Sequence, residues 1–302
     1  MTGRERLAAR LAEVGEMRVN EPMERHTTFG VGGPADIYVA VRSAEALAQA
    51  TRLAADAEAG PFVLGSGSNI VVADEGIRGV VIDNRARQEQ VEGDTHRVES
   101  GASFAGFARR MCRAGLAGLA WAVGIPGTLG GAVVYNAGAY GGCLADVLTR
   151  VRLLGPESDT SWRPAEELGL VYRGSAFTRD QFADSTVLEA ELTLSAGDAT
   201  ALLAEASSYD RRRLTAQPRG RNAGSMFKNP PETPAWKLIE SVGLRGEQRG
   251  GAAISDRHAN FFVNLGGARA ADVLWLVEEA ERRVRDQHGV LLEREVGFVG
   301  AW

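Results

Sequence analysis

Cysteine is almost absent from this sequence. Of its 302 residues only Cys112 and Cys143 are cysteines, and they form no C-x-x-C pair. Neither a disulfide framework nor a cysteine-based metal site is therefore predicted, and each thiol is expected to be a small buried hydrophobe. The first seventeen residues also lack the apolar core of a secretory signal peptide. Both absences predict a protein of the reducing cytoplasm.

An excess of positive charge is missing as well. The formal net charge is −5 at pH 7 and the isoelectric point is near 5.6. Nucleic-acid binders display a basic face, so no nucleic-acid partner is predicted. The apolar fraction of 44% and the charged fraction of 24% are ordinary for a soluble globular protein. The length is sufficient for two or three packed domains.

Charged residues are missing altogether from residues 115–145, a stretch long enough to cross a bilayer. This stretch contains nine glycines and Pro126, and a lipid-exposed helix could not keep its backbone hydrogen bonds through such a run. No membrane insertion is therefore predicted. An uncharged, glycine-rich segment in a soluble protein instead indicates backbone that packs closely against a large ligand.

The hydrophobic pattern predicts alternating strands and helices up to about residue 80, followed by a more mixed α+β region. Ser43, Ser103 and Asp198 are predicted helix caps, Thr233 is predicted to cap a helix that starts at Pro234, and Gly289 is predicted to end the last helix. The predicted helices are 4–14, 43–58, 103–114, 198–213, 234–243 and 271–288, and the predicted strands are 36–41, 62–64, 79–82, 96–99, 151–154 and 187–194.

Three glycine-rich segments are candidate ligand-binding loops. They are His26–Ala35, Gly65–Asn69 and the uncharged Gly124–Gly141. Successive backbone N–H groups in such loops can bind phosphate, although a short loop such as 65–69 is more often only a tight turn. Residue 70 is isoleucine where a dinucleotide-binding fingerprint requires glycine, and no helix is predicted after it. Together the three segments suggest a large cofactor held mainly by backbone.

Three polar segments carry candidate chemical groups. Arg221–Pro230 combines a hydroxyl, a cation and two amides within ten residues, and Leu292–Val296 places Glu293 and Glu295 on one face if it is a strand. Taken singly, the first is by default explained as a polar turn, and a pair of carboxylates such as the second is usually just solvated. The third segment, Tyr172–Ser175, is uninformative alone.

In their order along the chain, these segments resemble the UDP-N-acetylenolpyruvoylglucosamine reductases over nearly the whole length. The matching runs are HTTFGVGGPA, VLGSGSN, GIPGTLGGAVVYNAGAYG, YRGSAF, NAGSMFKNP, GGAAISDRHANFFVN and GVLLEREV. The resemblance implies an α+β fold with the FAD-binding architecture of vanillyl-alcohol-oxidase-type flavoproteins. It further implies FAD-binding subdomains at 1–80 and 81–200, with an FAD-binding region of about 27–195, and a substrate-binding domain at 201–302 whose last strand returns to the FAD site.

The resemblance implies that NADPH reduces a non-covalently bound FAD, which then reduces an enolpyruvyl ether on a UDP-sugar, in peptidoglycan precursor synthesis. By matching motifs, Arg173 would bind the substrate carboxylate, Ser225 would donate a proton, and Glu295 would assist, either neutral or through Arg173. Tyr172, Lys228 and Asn229 would contact substrate. FAD would be held by Leu64, Gly65, Ser66, Gly67, Ser68, Asn69, Gly124, Ile125, Pro126, Gly127, Thr128, Gly130, Gly131 and Ala132.

Some features of the sequence leave alternatives open. Only 51 residues separate Arg173 from Ser225, which corresponds to the shorter type of the family and leaves Tyr209 as a candidate cap over the substrate diphosphate. Arg211, Arg212, Arg213, Arg219 and Arg221 could meet the phosphates of UDP or NADPH, or could form a solvated helix end. An FAD oxidase of the same fold and a non-catalytic nucleotide-sugar binder are the rival functions. A monomer is expected.

Overall fold

The computed structural model describes residues 2–179 and 181–302, and in that part of the chain it has seven α-helices and eighteen β-strands. The helices are α1 (Gly3–Ala12), α2 (Ala44–Asp56), α3 (Phe104–Arg113), α4 (Leu129–Val134), α5 (Ala199–Ala216), α6 (Ala235–Ser241) and α7 (Ala270–His288).

The strands are mostly short. They are β1 (Glu16–Pro22), β2 (Pro34–Val41), β3 (Pro61–Leu64), β4 (Ile70–Val72), β5 (Ile77–Asn84), β6 (Glu89–Glu92), β7 (Thr95–Glu99), β8 (Leu116–Ala117), β9 (Gly138–Ala139), β10 (Gly142–Cys143), β11 (Leu148–Leu154), β12 (Thr160–Pro164), β13 (Thr186–Thr193), β14 (Ser195–Ala196), β15 (Gln248–Arg249), β16 (Ala252–Ile254), β17 (Phe262–Asn264) and β18 (Gly297–Val299).

Local side-chain chemistry sets several helix ends where the sequence predicted them. The Ser43 hydroxyl accepts from the Ala46 N–H at 3.1 Å, and the Ser103 hydroxyl accepts from Gly106 at 3.2 Å. Asp198 does the same for Ala201 at 2.7 Å. Gly289 ends α7 with φ of +68°, in the left-handed region that glycine adopts at little cost. These four predicted boundaries are confirmed.

One sequence prediction about the helix ends is wrong, and strand β1 is among the elements that the sequence analysis missed. Thr233 does not cap α6, since Pro234 is the N-cap residue of that helix and no side chain of the cap residue bonds to it. The N–H of Ala235 is instead satisfied by the side-chain oxygen of Asn229 at 3.1 Å. Strand β1 was not predicted, because most of its side chains are exposed and do not alternate between apolar and polar.

The chain divides into two compact units, of which the first comprises 1–19, 37–65 and 79–212. It contains the five-stranded antiparallel sheet β12-β11-β13-β7-β6 and most of the sheet β1-β2-β5-β3, in which β3 and β5 are parallel. One core lies around Phe104, Phe107 and Leu129, and a second lies between α1, α2 and the strands β2 and β5.

The second unit comprises 20–36, 66–78 and 213–302. It contains the antiparallel sheet β15-β16-β17 and the parallel pair β18-β4. Its core is built from all three chain segments, because Phe29 and Val71 are buried in the same cluster as Phe227, Phe262 and the inner face of α7. Burial of this apolar surface is the main stabilising term for the unit.

Within the described residues no helix combines the length and the apolar character needed to span a membrane. Residues 115–145 instead form short helices, turns and two-residue strands. Cys112 is buried and Cys143 is half-buried, and neither forms a disulfide.

Candidate active site

The uncharged segment of the first unit is tied to the start of α3 by backbone hydrogen bonds. Phe104 N donates to Gly127 O at 3.1 Å, Leu129 N to Ala102 O at 2.9 Å and Gly130 N to Ser100 O at 2.7 Å. Thr128 then caps α4, with its hydroxyl accepting from Gly131 N at 3.4 Å. The glycine-rich stretch is therefore a defined backbone surface within its unit.

Glycine is required in this segment because the backbone comes close to its neighbours. A Cβ on Gly65 would lie 2.6 Å from the Thr128 hydroxyl, so the end of the 64–65 segment and the uncharged segment meet in the first unit. Gly127 has φ of +130°, a conformation that L side chains rarely adopt. Two of the segments predicted to hold the cofactor thus lie together here.

Tyr172 and Arg173 form the two central residues of a tight turn in the first unit. Val171 and Gly174 close this turn with backbone hydrogen bonds of 2.9 and 3.3 Å. Arg173 has φ of +53°, which is costly for any residue with a Cβ and recurs at functional sites. Its guanidinium carbon lies 5.7 Å from the centroid of the Tyr172 ring, and Tyr172 is 63% exposed.

The turn is anchored to the same uncharged segment. The buried Asn136 donates from its amide to Val171 O at 3.1 Å, and its amide oxygen accepts from Ala145 N at 3.1 Å. On the other side of the turn, Ser175 is fully buried and its hydroxyl donates to Val134 O at 2.5 Å. These bonds fix the position of Arg173 relative to residues 134–136.

In the second unit, residues 66–69 are held by the His26–Ala35 motif. Thr28 N donates to Gly67 O at 3.0 Å, and the Thr28 hydroxyl also bonds to Asn222 O at 2.7 Å. A Cβ on Gly67 would lie 2.1 Å from His26 O, and Gly67 has φ of +61°. Both observations explain why residue 67 is a glycine. They also show that the HTTFGVGG motif helps to shape this loop.

The loop is followed directly by a strand pair that brings in the C-terminal segment. Asn69 donates from its side-chain amide to Glu295 O at 3.0 Å, and Gly297 N donates to Asn69 O at 2.9 Å. From there β18 runs parallel to β4. Glu295 is therefore adjacent to the end of the predicted cofactor loop.

Ser225 lies on a backbone segment next to the one that carries Glu295. It bridges Phe261, and the following residue, Met226, accepts from Glu295 N at 2.9 Å through its carbonyl oxygen. Ser225 is half-buried, and within its own unit its hydroxyl has no hydrogen-bond partner among the residues that the structure describes. Two of the three predicted catalytic residues, Ser225 and Glu295, are thus neighbours along adjacent backbones.

The predicted substrate-contacting residues of this unit already have protein partners. The Lys228 ammonium forms an ion pair with Glu293 at 2.5 Å, and Glu293 is largely exposed. The Asn229 oxygen accepts from Ala235 N at the start of α6. Lys228 therefore has to exchange or share a carboxylate partner when it meets an anionic ligand.

The predicted arginine group is divided between different environments. In the first unit, the guanidinium of Arg212 lies 5.0 Å from the ring centroid of Tyr140, and Tyr209 stacks on the same ring at 4.5 Å. In the second unit, Arg221 packs against the backbone of Gly30. Of the five arginines, Arg212 thus lies beside stacked aromatic rings and Arg221 against backbone.

The residues present fit FAD as a cofactor. FAD carries a pyrophosphate and a large planar ring, and the first unit offers it an uncharged backbone in which Gly65 and Gly130 leave little room for a Cβ. The second unit offers a further turn of backbone at 66–69 in which Gly67 again has no room for a Cβ. The residues predicted from the sequence for this purpose thus lie on ordered, closely packed backbone in each unit.

Comparison with known protein families supports this description. Residues 35–161 match the family described as FAD binding domain, and residues 216–299 match UDP-N-acetylenolpyruvoylglucosamine reductase, C-terminal domain. The chain is similar to UDP-N-acetylenolpyruvoylglucosamine reductase 2 of Symbiobacterium thermophilum, with 41% identity over 98% of this chain and 96% of that one. It is 38% identical to the reductase of Bacillus subtilis, over 95% of each chain.

Solved structures agree with the sequence comparison. The UDP-N-acetylenolpyruvylglucosamine reductase of Thermus caldophilus matches with a TM-score of 0.80 and 37% identity, over 94% of this chain and 98% of that one. A berberine bridge enzyme variant matches at a TM-score of 0.50 and 16% identity over 64% of this chain, which supports the fold alone. The predicted α+β fold of the FAD-binding type is confirmed.

Several residues that shape the site were not predicted from the sequence. Thr28, Asn136 and Asn260 are uncharged polar residues whose backbone partners lie 33 to 194 residues away. All three lie in segments that the sequence analysis singled out, but a threonine or asparagine in a loop is usually explained by its own turn, so no role was predicted for these residues individually. Their common signal in the structure is a side chain that bonds to the backbone beside a predicted catalytic or cofactor-binding residue.

Proposed function

The chain belongs to the UDP-N-acetylenolpyruvoylglucosamine reductase family, and from this membership we propose how its own residues perform the family's FAD-dependent reduction of an enolpyruvyl UDP-sugar to UDP-N-acetylmuramate. This activity belongs to peptidoglycan precursor synthesis and uses NADPH as the reductant. The rival functions, an oxidase of the same fold and a non-catalytic binder, lack support from these relatives.

When bound, FAD supplies the hydride that it has taken from NADPH. We propose that Leu64, Gly65 and the run from Gly124 to Ala132 hold it in the first unit, and that Ser66 to Asn69 hold it in the second. The support is the uncharged, glycine-rich backbone of these segments, which can approach a large ligand closely. Binding is proposed to be non-covalent.

Arg173 is proposed to bind and polarise the carboxylate of the enolpyruvyl group. A guanidinium can make two parallel hydrogen bonds to a carboxylate, and it stabilises the negative charge that develops when hydride reaches the vinyl carbon. The anchored turn at 171–174 supports this role, because strained backbone is retained where a side chain must be held in one place. Tyr172 is proposed to contact the substrate beside it.

Ser225 is proposed to donate the proton that completes the reaction on the α-carbon. A serine hydroxyl is a weak acid, so the oxygen it leaves behind has to be neutralised by Lys228 or through a relay of water. The single observation that carries this proposal is the Ser225 hydroxyl, which has no partner among the described residues of its unit and lies beside Glu295 along adjacent backbones.

Glu295 is proposed to assist as a neutral carboxylic acid or by orienting Arg173. An ionised carboxylate would repel the enolate-like charge that forms on the substrate, which is why the neutral form is preferred for a direct role. Lys228 and Asn229 are proposed to contact the substrate, with Lys228 releasing Glu293 as it does so.

The organisation of the whole protein is also proposed from the family. The two FAD-binding subdomains would be 1–80 and 81–200, and the substrate-binding domain would be 201–302, in line with the family matches at 35–161 and 216–299. The compartment is proposed to be the cytoplasm, where NADPH and UDP-sugars are available. The protein is proposed to act as a monomer.

One experiment tests the proposed function directly. The purified protein is expected to be yellow, to bleach with NADPH in the absence of oxygen, and to regain its colour when the enolpyruvyl UDP-sugar is added. A reduced protein that recovers its colour with oxygen but not with the sugar would be an oxidase. Acid precipitation is expected to release all of the flavin into solution, whereas a yellow pellet would contradict non-covalent binding.

A further inference from the structure

The segment that carries Ser225 is held by backbone bonds on both of its sides. Met226 N donates to Asn260 O at 2.8 Å, and Met226 O accepts from Glu295 N at 2.9 Å. Ser225 bridges Phe261 in an antiparallel manner, and Phe227 bridges Arg294 in the same way. Residues 225–227 therefore form the middle of three adjacent extended backbones.

The side chain of Asn260 adds a second pair of bonds to this segment. Its amide oxygen accepts from Phe227 N at 2.9 Å, and its amide nitrogen donates to Phe227 O at 2.8 Å. A carboxamide presents a donor and an acceptor side by side, as a peptide group does. Asn260 is 2% exposed, so water cannot replace either bond.

These bonds restrict the backbone from which the Ser225 side chain projects. The backbone of Met226 and Phe227 is fixed at three N–H or C=O groups by residue 260 alone and at a fourth by Glu295. Since an extended chain has only two soft torsions per residue, fixing residues 226 and 227 leaves the preceding residue little freedom. The same backbone fixes the start of the Glu295 segment.

We propose that Asn260 is a positioning residue that aligns Ser225 and Glu295 for proton transfer. The inference rests on the proposed function, since it assigns a supporting role within the same site. Asn260 itself contacts neither substrate nor cofactor in this proposal. Its effect is confined to the step in which Ser225 acts, and the reduction of FAD by NADPH does not depend on it.

The first test replaces the side chain and separates the two half-reactions. In Asn260→Ala we expect the prereduced enzyme to be reoxidised by the enolpyruvyl UDP-sugar ~10- to 100-fold more slowly, since a displacement of about 1 Å can cost that much. FAD content and the rate of FAD reduction by NADPH should stay within about twofold of wild type. Equal losses in both half-reactions would overturn the proposal.

A matched control removes buried contacts from the same core but none of the hydrogen bonds to residues 225–227. Val284 in α7 is fully buried in the cluster that includes Phe227. Val284→Ala should lower the thermal stability but leave both half-reactions near the wild-type rates. If Asn260→Ala reoxidises as fast as Val284→Ala at a temperature where both are folded, Asn260 has only a structural role and the proposal is wrong.

A conservative variant keeps the proposal testable if the alanine variant does not fold. Asn260→Asp retains the acceptor for Phe227 N, but an ionised carboxylate oxygen would face Phe227 O where a donor is needed. Protonation restores a donor at that position. We therefore expect the ratio of its reoxidation rate to that of wild type to increase as the pH is lowered from about 8 to about 5. A ratio that is independent of pH would count against the proposal.

The double variant shows whether Asn260 acts through Ser225. If it does, Ser225→Ala combined with Asn260→Ala should be reoxidised about as slowly as Ser225→Ala alone, because no donor is left to align. Losses that simply multiply would overturn the proposal. Failure of the proposed function would look different, because the wild-type enzyme itself would then not be reoxidised by the sugar, and the inference would fail with it.

Discussion

At position 225 a hydroxyl without a partner in its own unit lies beside backbone that is bonded on both sides. Rigid backbone and an unengaged side chain are the combination expected of a group that must meet a ligand in one orientation. At position 173 the backbone is also held in one conformation, because it is strained and the turn that carries it is bonded to Asn136 and Ser175.

Replacement of Ser225 distinguishes proton donation from a purely local role. Ser225→Ala should retain FAD and accept hydride from NADPH at a near-normal rate, while reoxidation by the enolpyruvyl UDP-sugar falls by ~10²- to 10⁴-fold. Ser225→Cys should recover part of that rate because a thiol is more acidic. Stopped-flow measurement of both half-reactions checks this, and an alanine variant within a few-fold of wild type would leave Lys228 or water as the donor.

The left-handed backbone of Arg173 predicts a difference in stability between two variants that both lose activity. Arg173→Gly and Arg173→Ala both remove the guanidinium, and both should nearly abolish reoxidation by the sugar. The glycine variant should nevertheless be more stable than the alanine variant by about 1 kcal/mol, since only alanine retains the Cβ that is strained at φ of +53°. Urea unfolding measures the difference, and equal stabilities would show that the turn relaxes.

The ion pair between Lys228 and Glu293 predicts a change in substrate affinity. If Lys228 has to leave Glu293 to meet the UDP-sugar, Glu293→Gln removes a competitor that is worth only ~0.2–1 kcal/mol at this exposed position. We expect the KM for the sugar to fall by about 1.5- to 5-fold with little change in kcat. Asp256→Asn, an acidic-to-neutral change elsewhere in the same unit, serves as the control, and an unchanged KM in Glu293→Gln argues against the contact.

At the scale of elements, the caps could be predicted from the sequence because each involves residues close together along the chain. Ser43, Ser103 and Asp198 bond to an N–H three residues ahead. Asp74 shows why other ends could not be predicted. Its carboxylate accepts from Ala270 N and Ala271 N at the start of α7, 196 and 197 residues away, and no local pattern indicates this.

The same limit applies to the candidate site. Its motifs could be found in the sequence because each is a short run of consecutive residues, as in the glycine-rich segments and the segments of Arg173, Ser225 and Glu295. The resemblance to a known family then assigned them roles. The residues that hold those segments, such as Asn136 and Asn260, bond to backbone, and backbone partners leave no trace in residue type. The fold class could thus be predicted, whereas the supporting contacts required coordinates.

Helix α7 carries an ion-pair cluster whose contribution depends on pH. Hydrogen bonds from Arg282, then Arg283, lower the pKa of Glu279 to about 2 from an ordinary value near 4.5. The folded state therefore gains stability above about pH 4.5, and this gain is lost as the pH falls towards 2. Because Arg282 is half exposed, the gain at pH 7 is ~0.5–1 kcal/mol. Glu279→Gln should cost that amount at pH 7 and progressively less as the pH falls from about 4.5 towards 2, measured by urea unfolding.

At the scale of the whole molecule, the family match and the packing of the core suggest different boundaries for the C-terminal domain. Residues 216–299 match a family described as a C-terminal domain, which invites the view that this part folds alone. The core of the second unit, however, includes Phe29, Val31 and Val71, which come from the segments 20–36 and 66–78. β18 also pairs with β4 from the second of these segments.

We therefore expect a fragment of residues 213–302 to lack a cooperative fold. Removing three fully or almost fully buried apolar side chains withdraws roughly 4.5–9 kcal/mol of burial, estimated at ~1.5–3 kcal/mol for each, and a single domain has only about 5–15 kcal/mol of stability. The fragment also loses the Asp74 cap of α7 and the partner strand of β18. Circular dichroism during heating should show a broad, non-cooperative change, whereas the full chain should unfold in a sharp transition. A fragment with a sharp transition and dispersed NMR signals would show that α7 and β15-β16-β17 are sufficient to form the core without the two N-terminal segments.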